Sequence, residues 1–173
     1  GTPPHPGMVG RHMIERIARA PVMTEVASEF RYSNLLFEEG DAVVVISQSG
    51  ETDDTLAALR IAKKRGIPTI AIVNVVGSTI AREADIVLYT WAGPEIAVAT
   101  TKAYTCQVAV LLMMALRFAC ERGTVSDEEL ERYSDLLRRI PDVVADVIKN
   151  ADLYKEMSRS YKDCEDLFFI GRG

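Results

Sequence analysis

Short β-branched runs alternate with helix-spaced apolar positions along the first two thirds of the chain, the pattern of a parallel sheet with helices on its faces. Apolar Val9, Met13, Ile14 and Ile17 predict a first helix over 8–20, ended by Pro21, with 22–26 as a short edge strand. Residues 41–46 form an unbroken run too short for a typical helix, and so predict a strand buried on both faces. A helix over 55–65 closes at Gly66 and Pro68, and a second strand follows at 69–73. A short helix reaching Glu83 leads to a third strand at 86–89.

The C-terminal third changes character. A long helix over about 100–121 is apolar on nearly every face between Gln107 and Leu116, which implies cover beyond its own sheet and favours self-association. Ser126 and Glu129 form a capping box that opens an acidic helix, and Pro141 is expected to divide it from another helix reaching about Tyr161. Residues 167–170 (Leu-Phe-Phe-Ile) read as a further strand before a glycine turn. The expected organisation is a sheet domain over 1–125, connecting helices over 126–162 and a terminal strand and turn over 163–173.

Composition narrows the function classes. With 173 residues, 48% of them apolar and 26% charged, the chain suits an ordered domain that needs no disulfide or metal staple. The net charge of −5 is concentrated beyond residue 125 and argues against nucleic-acid binding. The longest apolar run, 108–116, falls short of the ~20 residues of a membrane span, and the first residues show no leader pattern. Three scattered cysteines and two histidines exclude a disulfide framework and a multi-His metal centre, so no metal or cofactor is expected and a reducing, cytoplasmic setting is.

The candidate chemistry lies in the loop after the first strand: Ser47, Gln48, Ser49, Gly50, Glu51 and Thr52. Ligands of open α/β sheets gather at the carboxyl ends of the strands, where hydroxyls, a glycine and a helix N-terminus can cradle a phosphate. The loop has no lysine, and neither Gly-x-x-x-x-Gly-Lys-Ser/Thr nor Gly-x-Gly-x-x-Gly occurs, so a small phosphorylated ligand suits it better than a nucleotide. Simple helix capping by the same hydroxyls stays open, and Glu51, Asp53 and Asp54 would favour the helix while repelling an anion. A second loop, 91–102, offers Thr100 or Thr101 as a cap or a sugar contact, with Glu95 and Lys102 as a possible ion pair. The loop from Asn74 to Thr79 carries the weakest signal, with Ser78 as its N-cap.

Residues 47–56 (SQSGETDDTL), 71–78 (AIVNVVGS) and 92–105 (AGPEIAVATTKAYT), with 28–32 (SEFRY), resemble the SIS (sugar isomerase) domain of the glucosamine-6-phosphate synthase family along the whole chain. The resemblance implies a three-layer α/β/α sandwich with a parallel, flavodoxin-like sheet. It implies that Ser47, Gln48, Ser49 and Thr52 hold the phosphate of fructose 6-phosphate or glucosamine 6-phosphate. Thr2, Val98 and Thr100 would meet the sugar, Val98 through its backbone, while Pro3 stands where the family has a sugar-contacting serine. His5 aligns with a family histidine that has no catalytic part.

Family members join a glutaminase domain to two SIS halves, with the catalytic acid/base Glu, ring-opening His and Schiff-base Lys in the second half and tail. The expectation is therefore a hexose-phosphate-binding half, homodimeric and catalytically incomplete alone. A non-catalytic sugar-phosphate sensor is the alternative, and a flavodoxin-like flavin or signalling domain fits poorly, with Trp91 alone as an aromatic candidate. By the same resemblance the chain starts after a central strand, whose place 167–170 is expected to fill, either in its own sheet or in a neighbour's.

Overall fold

Three runs of β-branched residues form one parallel sheet in the computed structural model, which describes residues 5–33, 35–96, 101–168 and 170. Strands β1 (Val43–Ser47), β2 (Thr69–Val73) and β3 (Ile86–Tyr89) lie in that order. Val43 sits opposite Thr69 and Ser47 opposite Val73; Ile70 faces Ile86 and Val73 faces Tyr89. The three strands thus end at one level, and their carboxyl-end loops emerge side by side.

Parallel pairing requires crossovers, supplied by helices α3 (Asp53–Lys64) and α4 (Thr79–Glu83). Because successive side chains point to opposite faces, Val43, Val45, Ala71 and Val73 pack with Leu56, Leu59 and Ile80 on one side. On the other, Val44, Ile46, Ile70, Ile72 and Leu88 meet Val110, Leu111, Met114 and Ala115 of α5 (Lys102–Arg122). The outer side of α5 is covered by α1 (His5–Met13) and the π-helical turn Ile14–Ala18 that continues it. Gly10 makes this approach possible, since a Cβ there would lie 2.8 Å from a Leu111 methyl. By length and composition α5 could cross a membrane, yet it packs on the sheet and against α1. Part of the cover expected for it thus comes from within the chain, while Met113 stays 52% exposed.

Four expectations need correction. Residues 22–26 are not a strand, because their backbone is used elsewhere: Val22 N–H donates to the Glu15 carboxylate (3.3 Å) and Val26 C=O accepts from Glu29 and Phe30 (both 2.9 Å). Those last bonds start α2 (Ala27–Phe30), a helix without a sequence signal of its own. The first helix stops at Ala18, before Pro21: Arg19 takes a left-handed φ of 55°, and Arg122 caps the Ala18 carbonyl at 2.8 Å. Pro141 does not divide the acidic helix, since α6 runs over Asp127–Lys149 and the break falls at Asn150, before α7 (Ala151–Arg159). Leu136, Ile140, Val143 and Val147 stay in helical phase through the proline, and only the carbonyl one turn back loses its donor. Finally, Leu167, Phe168 and Ile170 form no strand and lie exposed, Ile170 at 97%. Residue 169 and the glycine turn lie outside the described residues.

The chain divides into two units, Gly1–Leu130 and Glu131–Gly173. The capping box is formed, with Ser126 N–H donating to Glu129 at 3.0 Å and Glu129 N–H to Ser126 Oγ at 3.2 Å.

At the amino ends of the strands, Asp85 locks β2 to β3. Its carboxylate accepts from Lys63 Nζ (2.7 Å), Thr69 Oγ1 (2.6 Å) and Thr69 N–H (2.9 Å). The Lys63 bond, followed by those from Thr69, holds its pKa at about 2 against an ordinary 3.8. A depressed carboxylate stabilises the fold above its unfolded pKa, and that contribution disappears as pH falls from about 4 to about 2. Asp85→Asn should therefore flatten the acid limb of stability against pH, followed as urea midpoints; parallel limbs for variant and wild type would contradict this role.

Candidate functional site

The loop after β1 is wound on its own hydroxyls. Ser47, at the end of the strand, is fully buried; its Oγ accepts the Gly50 N–H at 3.1 Å and lies 3.1 Å from Thr52 Oγ1. Ser49 Oγ accepts the Glu51 N–H at 3.2 Å. Gly50 supplies the reversal with φ +69°, and any Cβ there would collide with the Ser78 hydroxyl. Only glycine meets both demands.

Thr52 is the N-cap residue of α3, yet its side chain makes no capping bond to that helix. Its hydroxyl turns to Ser47 instead, so the capping alternative to an anion cradle is not realised here. Ser47 and Thr52 are brought together, Ser49 turns to the Glu51 N–H, and the Gln48 C=O accepts from Asn74 N–H at 3.2 Å. Thr2, Val98 and Thr100 lie outside the described residues.

Two of the three acidic residues around the loop, Glu51 and Asp54, are committed to other partners, while Asp53 opens α3 beside it. Glu51 accepts the Thr79 N–H at 2.7 Å and so caps α4; hydrogen bonding from the Thr79 side chain and backbone, with Arg82 nearby, holds its pKa below the usual carboxylate range. Asp54 pairs with Arg31 at 3.1 Å, so the 28–32 motif contributes a cation. Ser78 is at the N-cap of α4, but its Oγ is buried against Gly50 without a hydrogen bond, and Glu51 does the capping expected of it. Glu95 accepts the Ala103 N–H at 3.3 Å at the start of α5, in place of the expected pairing with Lys102.

The residue that sequence reasoning passed over is Asn74. Its Oδ1 accepts from Thr90 Oγ1 (3.0 Å) and Ala92 N–H (2.8 Å), and its Nδ2 donates to Gly93 C=O (2.8 Å). Together with its backbone bond to Gln48, it joins all three strand-end loops. The signal available was its position: an amide directly after a buried strand, able to donate and accept at once.

A family model described as the SIS domain matches residues 1–117. The chain belongs to the SIS domain family. It is similar over its whole length to a glutamine–fructose-6-phosphate aminotransferase (isomerizing) of Clostridium tetani, at 51% identity, and spans 28% of that protein. An enzyme of the same description from Thermococcus kodakarensis is 46% identical, with 29% of its length spanned. The solved C-terminal domain of glucosamine-fructose-6-phosphate aminotransferase from Francisella tularensis superposes with a TM-score of 0.94 at 38% identity, covering 100% of this chain and 49% of that one. These likenesses bear out the expected α/β SIS fold with its parallel sheet.

The geometry of this SIS loop yields a direct test. Gly50→Ala imposes both a strained φ and a buried collision, and should cost about 2 kcal/mol or more in urea unfolding. A variant as stable as wild type would show that the turn has another conformation.

Proposed function

We propose that this SIS domain is the first half of the isomerase module of a glutamine–fructose-6-phosphate aminotransferase, binding fructose 6-phosphate or glucosamine 6-phosphate. A glutaminase domain and a second SIS half complete the protein, and its setting is the cytoplasm. The observation that carries this reading is the hydroxyl-wound loop at the end of β1, facing an α3 N-terminus that no side chain of Thr52 caps. A helix N-terminus attracts an anion through its free N–H groups and dipole, and hydroxyls beside it donate to phosphate oxygens without carrying charge. Ser47, Gln48, Ser49 and Thr52 take the phosphate in this scheme. Thr2, Val98 and Thr100 take the sugar.

Titration with glucosamine 6-phosphate, fructose 6-phosphate and unphosphorylated glucosamine tests the reading, with binding expected to depend on the phosphate. Replacing Ser47, Ser49 and Thr52 together by Ala should weaken phosphosugar binding on the order of 100-fold or more, because bonds to a charged group are each worth about 1.5–3 kcal/mol. Circular dichroism separates lost binding from lost folding. Equal affinity for all three compounds would sink the phosphate cradle.

The homodimer belongs to the same proposal, but its support moves from α5 to α6. Leu136, Ile140, Val143 and Val147 recur every three to four residues and are 44–57% exposed, an apolar stripe suited to a second copy. Ile140→Glu with Val147→Glu should shift sedimentation toward the monomer. An unchanged distribution would exclude the stripe from the dimer contact.

A further inference from the structure

Asn74 holds a strained turn in place. Trp91 follows β3 with φ 52°, one of two non-glycine residues with positive φ among the described residues. Bulky side chains avoid that conformation, which persists only where the surroundings enforce it. Packing of the indole does not enforce it, since Trp91 is 76% exposed and its ring contact is to Tyr89, 5.6 Å between centroids. The enforcing bonds lie on either side: Thr90 Oγ1 and Ala92 N–H both converge on Asn74 Oδ1, and Gly93 C=O takes the Nδ2 hydrogen. Thr90 N–H meanwhile donates to Val73 C=O at 2.9 Å, fixing the start of the turn against β2.

We propose that Asn74 is the positioning residue that sets the loop after β3 against the phosphate loop, and that discrimination of the sugar passes through it while the grip on phosphate does not. The inference rests on the sugar-phosphate reading above. Its basis is connectivity: one side chain fixes residues 90, 92 and 93 of the loop that runs on to Val98 and Thr100, and the same residue's backbone is bonded to Gln48. Asp at this position keeps the acceptor for Thr90 and Ala92 but loses the donor to Gly93. Ala loses all three bonds.

Trp91 is the only tryptophan, so its fluorescence reports the turn directly. In Asn74→Ala, emission and acrylamide quenching of the indole should change, and affinity for glucosamine 6-phosphate should fall about tenfold or more while affinity for inorganic phosphate changes less than twofold. Asn74→Asp should fall between, and serves where the alanine variant fails to fold. Trp91→Gly, for which positive φ is unstrained, should recover part of the loss when combined with Asn74→Ala. Unchanged indole emission, or equal losses for phosphate and sugar phosphate, would overturn the proposal. If the wild-type chain binds neither compound, the functional reading fails by itself. The positioning role is then decided without ligand, by whether the urea midpoints of the two single variants and the double variant are non-additive, as the role requires, or simply additive, which would refute it.

Discussion

Parallel strands bond through slanted, evenly spaced ladders, and β2 is the strand that makes them on both edges. Ala71, Ile72 and Val73 are fully buried in consequence, so their backbone groups have no recourse to water and the register is fixed. Everything at the carboxyl end of the sheet inherits that register. A slip of one residue would turn Ile70 and Ile72 away from α5, and would separate Ser47 from the level of Val73 and Tyr89. Side chains secure the two ends of the ladder in complementary ways. Asp85, a carboxylate, accepts from Thr69 and Lys63 at the entrance; Asn74, an amide, bonds donors and an acceptor at the exit.

Charge placement lowers the repulsion that the acidic residues of the loop after β1 would offer the proposed anion. Glu51 and Asp54 would both oppose a phosphate if their charges were free in the loop. Glu51 is drawn away to the N-terminus of α4, and Asp54 to Arg31. The three hydroxyls remain as neutral groups around a turn that Gly50 alone can close. The same carboxylates thus serve to brace the loop from outside.

What the sequence made legible was whatever leaves a local pattern. The β-branched runs placed β2 and β3 to the residue, and the stop at Gly66 and Pro68 closed α3 correctly to within a residue. Residues 22–26 have the composition of a strand, but a strand exists only where another chain segment completes its ladder, and composition cannot state that. Pro141 reads as a break because a missing donor is a local fact, whereas the phase of the stripe around it is regional. The residues of the loop after β1 are readable as a cluster, with roles drawn from resemblance; whether their hydroxyls cap α3 is not readable. Asn74 was hidden for a related reason. Its side-chain partners lie 16 to 19 residues on, and bonds over such separations leave no period.

The same physics bears on the second unit, where the described residues of α6 and α7 include none that is buried. A proline inside a helix costs about 3 kcal/mol, and even long isolated helices owe little stability to propensity alone. Leu136, Ile140, Val143, Val144, Val147 and Ile148 each keep roughly half their surface exposed. Covering the remainder would yield about 1 kcal/mol per side chain, a sum that exceeds the cost of the proline. Continuity of α6 through Pro141 and an apolar stripe in unbroken phase are therefore one feature. A surface that covered the helix would have to do so on both sides of the proline at once.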